Sequence, residues 1–117
     1  MLPTHDDLAL NVKNRNLALN WLLITYPDAF DLCNRRPLKQ DILLDILDFK
    51  IKDMPNKDDL EQAYLHYTQW GSYLNALKVD TKCIDLNGQP CGLVSHEEAE
   101  LAQKKLSLAQ NKMIQTL

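Results

Sequence analysis

The sequence predicts a mostly helical α+β domain of five or so helices with one small β-hairpin. Three observations carry this. Apolar residues recur at helical spacing in successive stretches of the chain. Pro27, Pro55 and Gly71 punctuate those stretches. Around Cys83–Leu86 the period changes to alternation, and Asn87-Gly88 follows at once. At 117 residues the chain makes one domain with a real core and no spare length for a second.

Residues 1–15 are polar, with weak periodicity around Leu8 and Leu10, and read as a flexible N-terminal arm before a domain over residues 16–117. From Asn16 the pattern is helical, with Leu17, Trp21 and Ile24 on one stripe and Leu22 and Leu23 widening it. Pro27 ends this helix near Tyr26, because the residue before proline avoids helical geometry. Asp28 to Asn34 is a connector with Phe30 and Leu32 turned inward. A second helix is expected from Pro37 to about Lys52. Leu38, Ile42, Ile46 and Phe49 form its apolar stripe, and Asp41, Asp45 and Asp48 lie opposite. Asn56 is a good N-cap for a third helix, with Asp58 and Asp59 in its first turn and Leu60, Ala63, Tyr64 and Tyr67 buried. Gly71 marks a bend, and Tyr73, Leu74 and Leu77 continue as a short helix.

Ile84 and Leu86 alternate with Cys83 and Asp85, and Asn87-Gly88 suits a type I′ turn because both residues tolerate positive φ. Pro90 marks the returning segment, Gln89 to Val94, as a short edge strand. In the last helix Ser95 and Glu98 form a capping box. Ala99, Ala102, Leu106, Ala109 and Met113 supply its stripe, and Lys104, Lys105 and Lys112 lie toward its far end.

Composition narrows the function classes. With 45% hydrophobic and 25% charged residues the chain is ordinary for a soluble globular protein. No apolar run approaches the ~20 residues needed to span a bilayer. No signal peptide is visible beside Asp6 and Asp7, so a cytoplasmic protein without membrane contact is expected. Cys33, Cys83 and Cys91 form an odd set without a CxxC pair and read as reduced thiols. With His5, His66 and His96 they give no metal-ligand spacing, so neither metal nor cofactor is expected. No paired-carboxylate, Ser/His/Asp or Cys/His arrangement supports catalysis, and the three glycines form no phosphate loop. The net charge of -3 argues against a uniformly basic nucleic-acid binder. It still allows a local basic patch, since each charge reaches only about 8 Å at physiological salt.

The run Arg35-Arg36-Pro37-Leu38-Lys39 supplies such a patch. Proline suits the first helical turn, and the unpartnered N–H groups there carry partial positive charge. With Arg36 and Lys39 beside them they make a small anion socket, most naturally for phosphate. Cations at a helix N-terminus are otherwise disfavoured, so their presence calls for a ligand. Tyr73 lies about 100° round its helix from Leu74, at the border of the buried stripe. It is either a core-edge tyrosine or a ring presented to a nucleotide. Lys57, Lys78 and Lys82 are scattered.

Together, Arg36-Pro37-Leu38-Lys39, Tyr67-Thr68, Tyr73-Leu74 and Asp85-Leu86-Asn87-Gly88-Gln89-Pro90-Cys91-Gly92 resemble the ProQ/FinO RNA-binding domain, in order, from about Trp21 to Leu106. The resemblance implies a bacterial RNA-binding protein of the RNA-chaperone type acting in post-transcriptional regulation, and a monomer is expected. Its partners would be small RNAs and mRNA 3′ ends, each a terminator hairpin with a U-rich single-stranded tail. Arg36, Leu38 and Lys39 would belong to the socket that holds the 3′ end, and Tyr73 to a concave pocket. Arg35, Arg36, Lys57 and Lys82 would follow the hairpin backbone, and Asn87 to Gly92 would form the hairpin loop at the pocket edge, with Asn87, Gly88 and Gln89 as RNA contacts. The chain departs from the family where Glu61 and Leu65 replace arginines of the third helix. Cys83 likewise replaces a pocket arginine, with Lys82 as its neighbour. Fewer cations imply a shallower salt dependence. The alternative reading is a helical protein-interaction adaptor that uses the acidic face Asp41, Asp45 and Asp48.

Overall fold

The computed structural model describes the backbone of residues 5–115 and the side chains of residues 9–109. Among these residues are five helices and a two-stranded antiparallel sheet, in the order α1 (His5–Thr25), α2 (Ile42–Phe49), α3 (Lys57–Thr68), α4 (Gly71–Ala76), β1 (Lys82–Ile84), β2 (Pro90–Leu93) and α5 (His96–Gln115). The α+β class read from the sequence holds.

α1 is longer than expected, because residues 5–15 are helical instead of a loose arm. No proline or glycine interrupts the chain between His5 and Tyr26. Extending an existing helix costs little, so a polar segment of good helix formers continues it. Residues 1–4 of the expected arm, and the side chains of Leu8, Lys112 and Met113, lie outside the described residues. The buried stripe of α1 is also rotated. Ala18 and Leu22 are fully buried, whereas Leu17 and Ile24 face solvent. Small Ala18 permits the close approach to α3 that the bulkier Leu17 would prevent. In the connector Phe30 turns inward as expected, but Leu32 is exposed.

Several termini follow the sequence. Asn56 Oδ1 accepts from Asp59 N at 2.8 Å and caps α3. Ser95 and Glu98 bond reciprocally, Ser95 N to Glu98 Oε1 at 3.3 Å and Glu98 N to Ser95 Oγ at 3.1 Å. α1, α2 and α3 close over a core that includes Leu22, Phe30, Ile42, Ile46, Leu60 and Tyr67. Each such side chain contributes about 1.5–3 kcal/mol by leaving water. Tyr67 anchors its centre. Its ring meets Phe30 edge-on at 5.1 Å, and its hydroxyl accepts from Asp31 N at 3.0 Å.

The second helix departs most from expectation. It begins at Ile42, not Pro37, and ends at Phe49, not Lys52. Asp41 and Lys50 bracket it in left-handed conformation, with φ of 63° and 47°. Pro37 to Lys39 are extended instead and lie along the free edge of β1. Lys39 N donates to Ile84 O at 2.8 Å, Ile84 N donates to Pro37 O at 3.0 Å, and Leu38 bridges Ile84 in parallel. Pairing both backbone groups of Ile84 outweighs the local preference of proline for a first helical turn. Because α2 stops early, Phe49 stands 63% exposed at its end instead of in the core stripe.

The hairpin forms with a different turn. A type I′ turn needs positive φ at both Asn87 and Gly88, and here only Gly88 has it, at 76°. Gly88 N donates to Asp85 O at 2.9 Å, so Leu86 and Asn87 are the central residues and Gly88 is the bulge. Asp85 Oδ1 fixes the loop by accepting from Asn87 N at 2.9 Å and Gln89 N at 3.0 Å. β1 also breaks the expected alternation, since Cys83 and Ile84 are both buried. The strand lies between β2 and the Pro37–Lys39 segment, with Cys83 covered as well.

Candidate nucleic-acid interface

The Arg35–Lys39 run is shaped by long-range partners. Arg35 Nη1 donates to Tyr67 O at 2.8 Å, and its guanidinium lies 4.7 Å from the Tyr67 ring centroid and 5.4 Å from that of Trp70. Arg36 Nη2 donates to Asp28 O at 2.7 Å. Leu38 is buried, and its N–H donates to the Tyr73 hydroxyl at 3.2 Å. The amides of Leu38 and Lys39 are therefore both occupied. The expected socket of free helix-start N–H groups at Pro37–Lys39 does not form, because that segment is strand-like. Arg35 locks the connector to the end of α3.

Tyr73 resolves in favour of the core. It is 7% exposed, and burial pushes its phenol well above the ordinary tyrosine range. Its hydroxyl accepts from the Leu38 amide and holds that segment in place.

Lys39 leads into a cleft of about 660 Å³ between α2 and the hairpin turn. Tyr26, Phe49, Ile51 and Leu86 form apolar walls, and Lys39, Asp45, Asp48, Asp85 and Asn87 supply polar groups. Lys39 Nζ lies 2.7 Å from Asp45 Oδ2. That hydrogen bond and the charge of Asp45 hold the ammonium above the usual lysine range. The Tyr26 hydroxyl is buried with no hydrogen-bond partner among the described residues. Three carboxylates against one ammonium make the cleft acidic on balance. It suits hydroxyl donors and a planar apolar ring better than a phosphate.

The remaining candidates stand apart. Lys57 is exposed and lies 3.8 Å from Glu61 Oε1. Lys82 is exposed on β1 while Cys83 beside it is buried. Successive strand side chains take opposite faces, so Lys82 does not stand in at the position of Cys83. Gly88 packs against the backbone of Asp28, where an added Cβ would meet Asp28 O at 3.0 Å. The loop thus rests on the same residue that Arg36 grips. Asn87 reaches the cleft, whereas Gln89 is exposed and is fixed through its backbone. The acidic face also divides. Asp45 and Asp48 line the cleft, while Asp41 is near enough to Tyr64 for its charge to help raise that phenol.

Residues 12–116 match the ProQ/FINO family. The chain belongs to this family. It is 32% identical over 103 residues to the RNA chaperone ProQ of Shewanella oneidensis, covering 86% of this chain and 48% of that protein. It therefore spans about half the length of that curated ProQ relative. The structure is similar to a ProQ homolog from Legionella pneumophila, with a TM-score of 0.67 and 27% identity over 90% of this chain and 84% of the other. It also shares the fold of a FinO-like RNA chaperone from Neisseria meningitidis, with a TM-score of 0.61 and 22% identity over 99% of this chain and 100% of the other. Among the described residues of this ProQ/FINO chain, no helix is long and apolar enough to cross a membrane.

Sequence reasoning missed the cleft walls and Trp70. Phe49 and Tyr26 were legible only as a stripe residue and a helix end, since nothing local says that α2 stops at Phe49. Trp70 follows His66 by one helical turn, a spacing that brings side chains together. Its contact with Arg35 depends on the tertiary fold alone.

Proposed function

We propose that this chain is an RNA-binding protein of the RNA-chaperone type. It captures the 3′ ends of structured small RNAs and mRNAs, each a terminator hairpin followed by a U-rich tail. It acts as a monomer in post-transcriptional regulation in the bacterial cytoplasm. Membership of the ProQ/FINO family supports the class of partner. The observation that carries the reading is the cleft where Lys39 meets the Asp85–Gln89 turn. A terminal uracil fits between apolar walls, and Asp48 or Asp85 can accept from the 2′ and 3′ hydroxyls of the last ribose. Lys39 faces the phosphate preceding that nucleotide. Arg36, Lys57 and Lys82 contribute backbone attraction from the flanks, while Arg35, Leu38 and Tyr73 hold the cleft in shape.

The excess of carboxylate gives the test a sign. In a gel shift, a terminator hairpin with a free 3′ hydroxyl should bind more tightly than the same RNA with a 3′ phosphate or a truncated tail. Lys39→Ala should weaken all three and lower the slope of log affinity against log salt by about one. Equal affinity for the three RNAs would rule the 3′-end reading out. The adaptor reading finds no comparable support, since Asp45 is paired with Lys39 and the acidic face is divided.

A further inference from the structure

Outside the cleft, one cluster has the composition of a ligand site, and of its residues only Arg35 enters the reading above. Trp70 follows α3 and is 51% exposed, unusually open for the largest aromatic side chain. It is nevertheless fixed in place. Its indole N–H donates to His66 Nε2 at 3.1 Å, and the two rings meet edge-on at 5.6 Å. The Arg35 guanidinium lies between the Trp70 and Tyr67 rings and is itself held by Tyr67 O. Arg15 of α1 is close enough for its charge, with that of Arg35, to act on His66. The nearby carboxylate of Asp31 is turned onto its own loop, accepting from Cys33 N at 2.9 Å and Asn34 N at 3.3 Å.

We propose that Trp70, held by His66 and backed by Arg35, is a stacking platform for an unpaired RNA base, with Arg15 and Arg35 attracting the adjoining phosphate. The site asks for a partner with a flat π face and a negative charge within one residue's length. A nucleotide of a single strand supplies both, and stacking tolerates any base. An apolar protein surface would leave the two cations unanswered. Neither Trp70 nor His66 lines the cleft, so a strand could engage both places at once. Holding the indole in advance removes part of the ordering cost of binding.

The inference rests on the RNA-binding reading, and the experiment separates the two. Protein labelled with fluorotryptophan gives two fluorine resonances, from Trp21 and Trp70, with Trp70 assigned by its loss in Trp70→Phe. Titration with octauridylate should shift the Trp70 resonance saturably, and Trp70→Leu should weaken octauridylate binding roughly 5- to 150-fold while Trp70→Phe retains most of it. A terminator hairpin binding in gel shift, with the Trp70 resonance unmoved by octauridylate and Trp70→Leu equal to wild type, overturns the platform and leaves the RNA reading standing. Failure of wild type to bind either RNA overturns both. A melting curve checks that Trp70→Leu is folded, and if it is not, the resonance shift alone decides.

Discussion

The amide of Leu38 ends on the hydroxyl of Tyr73, thirty-five residues further along the chain and away from water. Removing that oxygen leaves a buried donor without a partner, which costs about 1–3 kcal/mol. Tyr73→Phe should therefore lower the unfolding free energy by that amount, read from urea denaturation as a lower midpoint at unchanged slope, while the folded variant binds RNA as wild type does. An unchanged midpoint with weakened RNA binding would return Tyr73 to the ligand side. The residue scale shows what a pattern can and cannot express. Periodicity placed Tyr73 at the border of a buried stripe, whereas it lies within the core. Its bond to Leu38 belongs to no spacing, because it joins segments that meet only in three dimensions. Arg35 is similar, since its charge was visible but its position between Tyr67 and Trp70 was not.

At the scale of elements, capped helices read directly from sequence and the Arg-Pro-Leu-Lys segment did not. Asn56, Ser95 and Glu98 act within three residues of their partners, so local chemistry decides them. Pro37 faces two local options, a helix start or an extended edge. The backbone of Ile84 selects the second. The candidate cleft inherits that choice. An N-terminal socket would have gathered free amides, whereas the strand-like path puts Lys39 beside Asp45 and the turn. The turn in its place depends on Gly88, whose φ of 76° strains any side chain and whose added Cβ would meet Asp28 O at 3.0 Å. Gly88→Ala should destabilise the domain by about 1–2 kcal/mol, measured by thermal melting. It should also loosen the grip of Arg36 on Asp28. A variant as stable as wild type would show that the loop yields freely.

Over the whole molecule, His66 connects three parts of the fold, with Arg15 from α1 and Arg35 from the connector acting on an imidazole in α3. Burial first, and then these two cations, hold its pKa below the ordinary 6.5. The sign follows from linkage. As pH falls through 6.5 the unfolded chain takes up a proton that the folded chain still refuses, so stability declines until folded His66 also titrates. The Trp70 N–H bond requires the neutral ring in any case. His66→Gln should flatten the loss of melting temperature between about pH 7.5 and pH 5.5 relative to wild type. An identical decline in the variant would assign the effect elsewhere. Neither the sequence nor its net charge of -3 foretells this coupling, because it arises from where three elements converge.

The bridge from Leu38 to Ile84 also bears on how the protein is made. A growing chain releases Arg35 to Lys39 long before β1 leaves the ribosome. Until then the segment lacks the strand that holds it extended, and proline's preference for a helical start is unopposed. A fragment that stops short of Lys82 would carry every residue of the motif without the cleft it builds. Competence for a ligand would arrive late in synthesis, with the closing of one long loop.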